Sequence, residues 1–233
     1  MDAWRERPWC AMATVRFGRG ALPSRRKPRP VHEEDPDMME PRYVLRVSLA
    51  HIEPTIWRRF EVPSGITLDR LHDVLQIVMG WTDSHLHEFR IGGERYTEYP
   101  EYLDGALHSG FDRLDVLVES KGTAFVYAYD FGDGWEHHIV LEEIDERPRN
   151  PRGAPICLDG ERACPPEDVG GAPGYDAFLE ALGDPAHEDH EAFMEWSGGG
   201  FDSEAFDPTE VNEMLWRYVR WSRDRELPWA YED

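Results

Sequence analysis

The stretch Phe125–Ile144, FVYAYDFGDGWEHHIVLEEI, constrains this chain more than any other. Phe125, Tyr127 and Tyr129 alternate with Val126, Ala128 and Asp130. Beyond the polar centre, His137, Ile139 and Leu141 alternate with His138, Val140 and Glu142. A strand turns successive side chains to opposite faces, so this alternation of aromatic and β-branched residues predicts a strand on each side. The DFGDG between them predicts a tight turn. Gly132 and Gly134 accept positive φ, and Asp130 and Asp133 are residue types that cap turn amides. The hairpin gathers Asp130, Asp133, Glu136, His137 and His138 at one end.

The remaining elements fall into place around it. Tyr43–Ala50 and Ile56–Val62 read as two strands joined by HIEPT. A helix follows, with Thr67 as N-cap, Leu68, Leu71, Leu75, Val78 and Met79 on one face, and Gly80 as the stop. Leu86, Phe89 and Ile91 predict a further strand, and Gly92–Gly93 turns it into Arg95–Tyr96. Residues 97–112 read as loop, and Arg113–Glu119 fits a short strand or a helical turn equally. The proline- and glycine-rich segment from Pro148 to Gly174 is long enough to be a working loop or a lid. Helices are expected over Tyr175–Leu182 and His187–Trp196. A last helix has Asp207 as N-cap, Pro208 at its first position and Glu210 at its third. The fold class is α+β: an antiparallel sheet of hairpins with one packed helix, loosely β-grasp-like in order, followed by C-terminal helices. Residues 1–41 are expected to be a disordered tail, 42–221 a single domain, and 222–233 an acidic C-terminal tail.

Charge narrows the partners. The formal net charge is −22, yet residues 1–30 carry eight Arg or Lys against Asp2 and Glu6. The acidic body repels phosphate backbones at long range, which argues against broad nucleic-acid binding and leaves metal ions or a basic protein partner. Met38 and Met39 precede the first strand, and a translation start there would make the basic segment an upstream extension. Three cysteines do not make a disulfide scaffold, and no run of 18 apolar residues predicts a membrane span. No secretory h-region follows Arg25–Lys27, so the expectation is a cytoplasmic protein.

The DFG at Asp130–Gly132 is not a kinase motif here, because neither a Gly-rich loop before a strand lysine nor an HRD-type loop accompanies it. A divalent metal is the sharper idea. His85 and His87 stand two apart, which on a strand points both to one face. With Asp130, Asp133 and His137 at the hairpin end, the candidate ligand set is Asp130, Asp133, His137 and His87, a mixture of imidazole and carboxylate suited to Zn²⁺, Mn²⁺ or Fe²⁺. The plainer account of the same residues is that turn aspartates cap amides and strand histidines meet hydrogen-bond partners. Cys157 and Cys164, with six residues between them, lack the spacing of a zinc knuckle. Trp57 and Arg59 share a strand face, from which Arg59 is placed to pair with the hairpin acids.

Several of these segments recur together in a known family. YVLRVSLAHIEPTIWRRFEVP, LHDVLQIVMGWTDSHLHEF, YAYDFGDGWEHHI, CLDGERACPPEDVGGAPGY and GGGFDSEAFDPTEVNEML resemble, in this order, the plasmid ORF-three-like family first named from a root-inducing plasmid. The likeness covers about Tyr43 to Tyr218. Some members are labelled resolvase-like passengers of insertion elements, which implies a mobile-element-associated binding or accessory module. Serine-recombinase chemistry is not legible here: serines are few and the C-terminus, LPWAYED, is acidic. The motif positions His85, His87, Asp130, Asp133, Trp135, His137, Cys164, Glu167 and Asp168 are nominated as one pocket between hairpin and proline-rich loop. The alternative function is a metal-dependent hydrolase or nuclease using the same His/Asp set.

Overall fold

The computed structural model describes residues 41–145 and 154–229, with the side chains of 220–229 left out. The basic tail, the Met38–Met39 start and the last four residues lie outside the described residues. Eight strands form one sheet: β1 (Arg42–Leu49), β2 (Trp57–Pro63), β3 (His87–Ile91), β4 (Glu94–Thr97), β5 (Leu107–His108), β6 (Ala124–Tyr129), β7 (Trp135–Asp145) and β8 (Ile156–Glu161). Their order across the sheet is β5-β4-β3-β6-β7-β1-β2-β8, antiparallel except for the β4–β5 pair. The hairpin read from Phe125–Ile144 is β6–β7, paired from Ala124↔Val140 to Tyr129↔Trp135. It sits in the middle of the sheet, flanked by β3 and β1.

Helix α1 (Leu68–Met79) covers one face. Leu68, Leu71, Val74, Leu75, Val78 and Met79 are buried against Tyr43, Leu45 and Val47 of β1, Phe89 of β3, Phe125 and Tyr127 of β6, and Ile139 and Leu141 of β7. Each such side chain contributes about 1.5–3 kcal/mol on leaving water, before the cost of ordering it. Thr67 and Gly80 bound the helix as expected, Gly80 at φ 111 with its amide on the Gln76 carbonyl. The opposite sheet face is laced by ion pairs. Arg59 reaches Glu142 and Glu143 at 2.8 Å each, and Arg90 bridges Glu88 and Glu136 at 2.6 Å each.

Beyond the sheet stand α2 (Leu114–Leu117), α3 (Gly171–Gly183), α4 (His190–Trp196) and α5 (Pro208–Trp229). Helix α3 starts four residues before the predicted Tyr175, and α5 runs through the expected acidic tail to Trp229. Two regions read as loop hold more structure. Residues 97–112 contain two 3₁₀ turns and β5, and the Pro148–Gly174 segment contains β8. Strand β8 leaves an open sheet edge, which Asn212 of α5 covers: its amide accepts from Cys157 N and donates to Cys157 O, both at 2.8 Å. An edge so occupied cannot recruit another strand there.

One buried cation ties these layers together. Arg58 of β2 is 2% exposed and donates to the Val78 carbonyl at the end of α1, the Glu161 carbonyl and the Arg162 carbonyl, at 2.7–2.8 Å. It also lies 4.1 Å over the Phe206 ring. A cation at a helix C-terminus opposes the helix dipole, so Arg58 binds the last turn of α1 to the segment that leaves β8. No helix of the described residues is long and apolar enough to cross a membrane.

Candidate metal centre

Three segments meet at one end of the sheet: the loop from α1 to β3, the β6–β7 turn, and a flap between β8 and α3 carrying Cys164-Pro-Pro-Glu167-Asp168. Each is held by its own hydrogen bonds, and together they bring four side chains to a common point, two of them from the flap.

In the β6–β7 turn, Asp130 has φ 55, a left-handed conformation that aspartate tolerates better than most residues. Its Oδ1 accepts from the amides of Gly132 at 3.0 Å and Asp133 at 3.3 Å. That fixes the carboxylate and turns Oδ2 toward His85 Nε2, 3.5 Å away.

The loop after α1 is anchored from below. Gln76 Nε2 donates to the Tyr127 hydroxyl at 2.9 Å, and that hydroxyl donates to His72 Nδ1 at 2.7 Å. His72 then carries its proton on Nε2 and donates to Asp83 Oδ1 at 2.9 Å, while the Asp83 amide donates to Gln76 Oε1 at 2.7 Å. Ser84 N donates to the Tyr129 hydroxyl at 2.9 Å. His85 follows directly, its ring edge-on to Tyr129 at 5.8 Å.

The flap supplies two carboxylates. Glu167 Oε1 accepts from Thr82 N at 2.7 Å, Thr82 Oγ1 at 3.0 Å and the Tyr129 hydroxyl at 3.0 Å. Burial, then the neighbouring Glu167 charge, pushes the Tyr129 hydroxyl far above its usual range, so it stays a donor to that carboxylate. Glu167 Oε2 lies 3.7 Å from His85 Nε2, and Asp168 Oδ1 lies 3.2 Å from the same nitrogen. Asp168 is also left-handed, at φ 59. Asp133 Oδ2 accepts from Gly170 N at 2.9 Å and clips the flap to the turn. Gly171 makes this approach feasible, since a Cβ there would overlap the Asp133 carbonyl.

The spacing suits a cation. Ligand atoms about 2.1 Å from one ion stand about 3.0–3.4 Å apart at tetrahedral or right angles. His85, Asp130 and Asp168 each offer a ligand atom, and the three lie within 4.8 Å of one another. Among the described residues, the buried atoms His85 Nε2 and Glu167 Oε2 meet no hydrogen-bond partner. Among the described residues no Arg or Lys forms an ion pair with Asp130, Glu167 or Asp168, whereas Glu61, Glu88 and Glu142 all have one. Among the described residues, these three carboxylates meet one imidazole and no Arg or Lys.

A family model described as "Plasmid pRiA4b ORF-3-like protein" matches residues 41–210, which spans all three segments. The chain belongs to the plasmid pRiA4b ORF-3-like family. It is 45% identical over 174 residues to the uncharacterized protein y4hQ of Sinorhizobium fredii (strain NBRC 101917 / NGR234), covering 73% of this chain and 89% of that one. A crystal structure of a protein of unknown function, MM3350 from Methanosarcina mazei Go1, superimposes with a TM-score of 0.67 at 39% identity. It covers 74% of this chain and 98% of its own.

Within this ORF-3-like fold the nominated residues separate into two groups. His85, Asp130, Glu167 and Asp168 converge. Of the four proposed ligands only Asp130 does so. His137 has both ring nitrogens engaged: Nε2 accepts from Trp81 Nε1 at 3.0 Å and Nδ1 donates to the Tyr127 carbonyl at 3.1 Å. Burial holds it neutral, with its pKa lowered to about 4. His87 stacks on His72 with ring centroids 3.6 Å apart and lies inside the sheet–helix core; burial, then His72, lowers its pKa to about 2. The expectation that His85 and His87 share a face fails because β3 begins at His87 and His85 belongs to the preceding loop, where strand alternation does not apply. Asp133 is spent on the flap. Trp135 is 2% exposed and packs on Trp81 at 5.5 Å. Cys164 packs against the core, and burial raises its thiol well above the usual value, so it stays protonated. Asp168 was nominated through the family motif alone, and the anchoring roles of Thr82 and Tyr129 carried no signal of their own in the sequence.

Proposed function

We propose that this protein binds one divalent transition-metal ion through His85 Nε2, Asp130 Oδ2 and Asp168 Oδ1, with Glu167 beside it. One observation carries the reading: Asp130 and Glu167 each have one oxygen fixed by protein donors and the other turned to an imidazole nitrogen that meets no hydrogen-bond partner among the described residues. Anchored ligands of this kind are what tight metal sites use. A mixed imidazole–carboxylate set favours Mn²⁺, Fe²⁺ or Zn²⁺ over Ca²⁺. Isothermal titration of chelator-treated protein tests it. About one equivalent of Mn²⁺ or Zn²⁺ is expected to bind, with affinity falling at least 100-fold in His85→Ala. Less than a tenth of an equivalent would leave His85 as the counter-ion of its own carboxylates and remove the reading.

A second reading, a binding or accessory module, draws support from the sheet edge around β5. There Tyr99, Tyr102, Leu107 and Phe111 are all exposed, Phe111 at 83%. Exposed aromatics together with a net charge of −22 suit a basic protein partner. A cytoplasmic setting and a mobile-element association belong to the same proposal. The free thiols of Cys157 and Cys164 support the first, and the plasmid origin in the family's description supports the second.

A further inference from the structure

We infer that Glu167 is the general base of a metal-assisted hydrolysis at this centre, and that the substrates are uncharged carbonyl compounds, esters or amides, rather than phosphodiesters. The inference rests on the metal reading above.

Glu167 differs from the other three groups. Its Oε1 is held by three donors, so its Oε2 has a fixed position. That oxygen is buried and meets no hydrogen-bond partner among the described residues. It is 3.7 Å from His85 Nε2, yet Glu167 is not among the three residues whose ligand atoms all lie within 4.8 Å of one another. An oxygen fixed beside the three ligands, but outside their set, is placed to accept from a water on an ion that His85, Asp130 and Asp168 would hold. Three protein ligands leave open positions for that water.

The step balances without another reactant. Glu167 Oε2 takes a proton from water on the cation. The hydroxide oxygen forms a bond to the carbonyl carbon, and the carbonyl π pair moves to its oxygen, where the cation offsets the charge. When that pair returns, the C–O or C–N bond breaks, and the leaving group departs with the proton from Glu167.

Charge selects the substrate. Asp130 and Asp168 neutralise a divalent ion, His85 is neutral as a ligand, and Glu167 adds one negative charge, so a phosphodiester meets repulsion. A cleft of about 310 Å³ shares Asp130 with the centre, beside Phe131 and Leu103, while His85, Glu167 and Asp168 stand outside its wall. Its two arginines, Arg90 and Arg95, are committed to Glu88 and Glu136 at 2.6–2.7 Å and leave no net positive charge for a phosphate. Phe131, 48% exposed, and Leu103 offer an apolar wall to the acyl or leaving group.

The test uses the full chain, stripped with chelator and reloaded with one equivalent of Mn²⁺ or Zn²⁺. It is offered p-nitrophenyl acetate, p-nitrophenyl butyrate, a p-nitroanilide and bis(p-nitrophenyl) phosphate. Chelator-sensitive hydrolysis of the carbonyl substrates is expected. In Glu167→Gln, kcat should fall 100-fold or more while metal affinity stays within about threefold. Tyr129→Phe, which removes one anchor of Glu167, should lower kcat less, and it gives a second reading if Glu167→Gln folds poorly. Metal binding without carbonyl turnover, turnover of the phosphodiester alone, or full activity in Glu167→Gln would each overturn the inference and leave the metal reading standing. Failure of the wild type to bind metal would remove both.

Discussion

The buried His137 predicts a measurable link between pH and stability. His137 sits at 0% exposure, accepting from the Trp81 indole and donating to the Tyr127 carbonyl. Burial lowers its pKa from 6.5 to about 4, an effect the Tyr127 carbonyl partly opposes. Between those values the unfolded chain binds a proton that the folded chain refuses, so stability rises with pH across that window. The contribution is fully present above about pH 6.5 and is lost as the pH falls to about 4, below which both states are protonated. The whole gap corresponds to about 3 kcal/mol, a large part of the 5–15 kcal/mol typical of a domain. His87, lowered to about 2, acts in the same sense, so the two must be separated. His137→Gln does this, because the amide can keep one acceptor and one donor but does not titrate. Urea unfolding followed by tryptophan fluorescence, in chelator, at intervals from pH 7.5 to 4, gives both curves. The wild type should lose about 3 kcal/mol more than His137→Gln over that range. Parallel curves would refute the reasoning, since His137 would then titrate equally in both states.

Three further outcomes follow from the packing. Glu61→Ala removes a fully buried carboxylate from its pair with Arg42, side chains 0% and 2% exposed, and should cost about 3–5 kcal/mol in chemical denaturation; the apolar double variant Arg42→Met/Glu61→Leu should cost clearly less. Arg58→Met removes the donor to the end of α1 and to the Arg162 carbonyl, and should both lower the melting temperature and raise hydrogen exchange in the 162–170 flap. Asp133→Ala unclips Gly170 from the turn and should weaken Mn²⁺ or Zn²⁺ binding about 10-fold in titration calorimetry while leaving the sheet intact.

The sequence made the hairpin legible because its alternation is continuous over both strands, and α1 because Thr67, the apolar stripe and Gly80 agree. Strand β8 was hidden because ICLDGE lies in a proline- and glycine-rich stretch and pairs on one side only, its other edge being capped by Asn212. The site was legible in part. Glu167 and Asp168 stood out through the family motif, but strand alternation led toward His87 and His137, whose environments are set by long-range packing on His72 and Trp81. The left-handed backbone of Asp130 and Asp168 cannot be read from residue type. Nor can Arg58 be recognised as buried, because arginine is usually exposed and only the carbonyls of α1, β8 and the flap explain it.

The most direct test of the metal centre is anomalous diffraction from crystals of the full chain grown with Mn²⁺. A single strong peak about 2.1–2.3 Å from His85 Nε2, Asp130 Oδ2 and Asp168 Oδ1 is the expected result. Manganese bound elsewhere, or no peak there beside a His85 ring that donates directly to Asp130 and Asp168, would contradict the account.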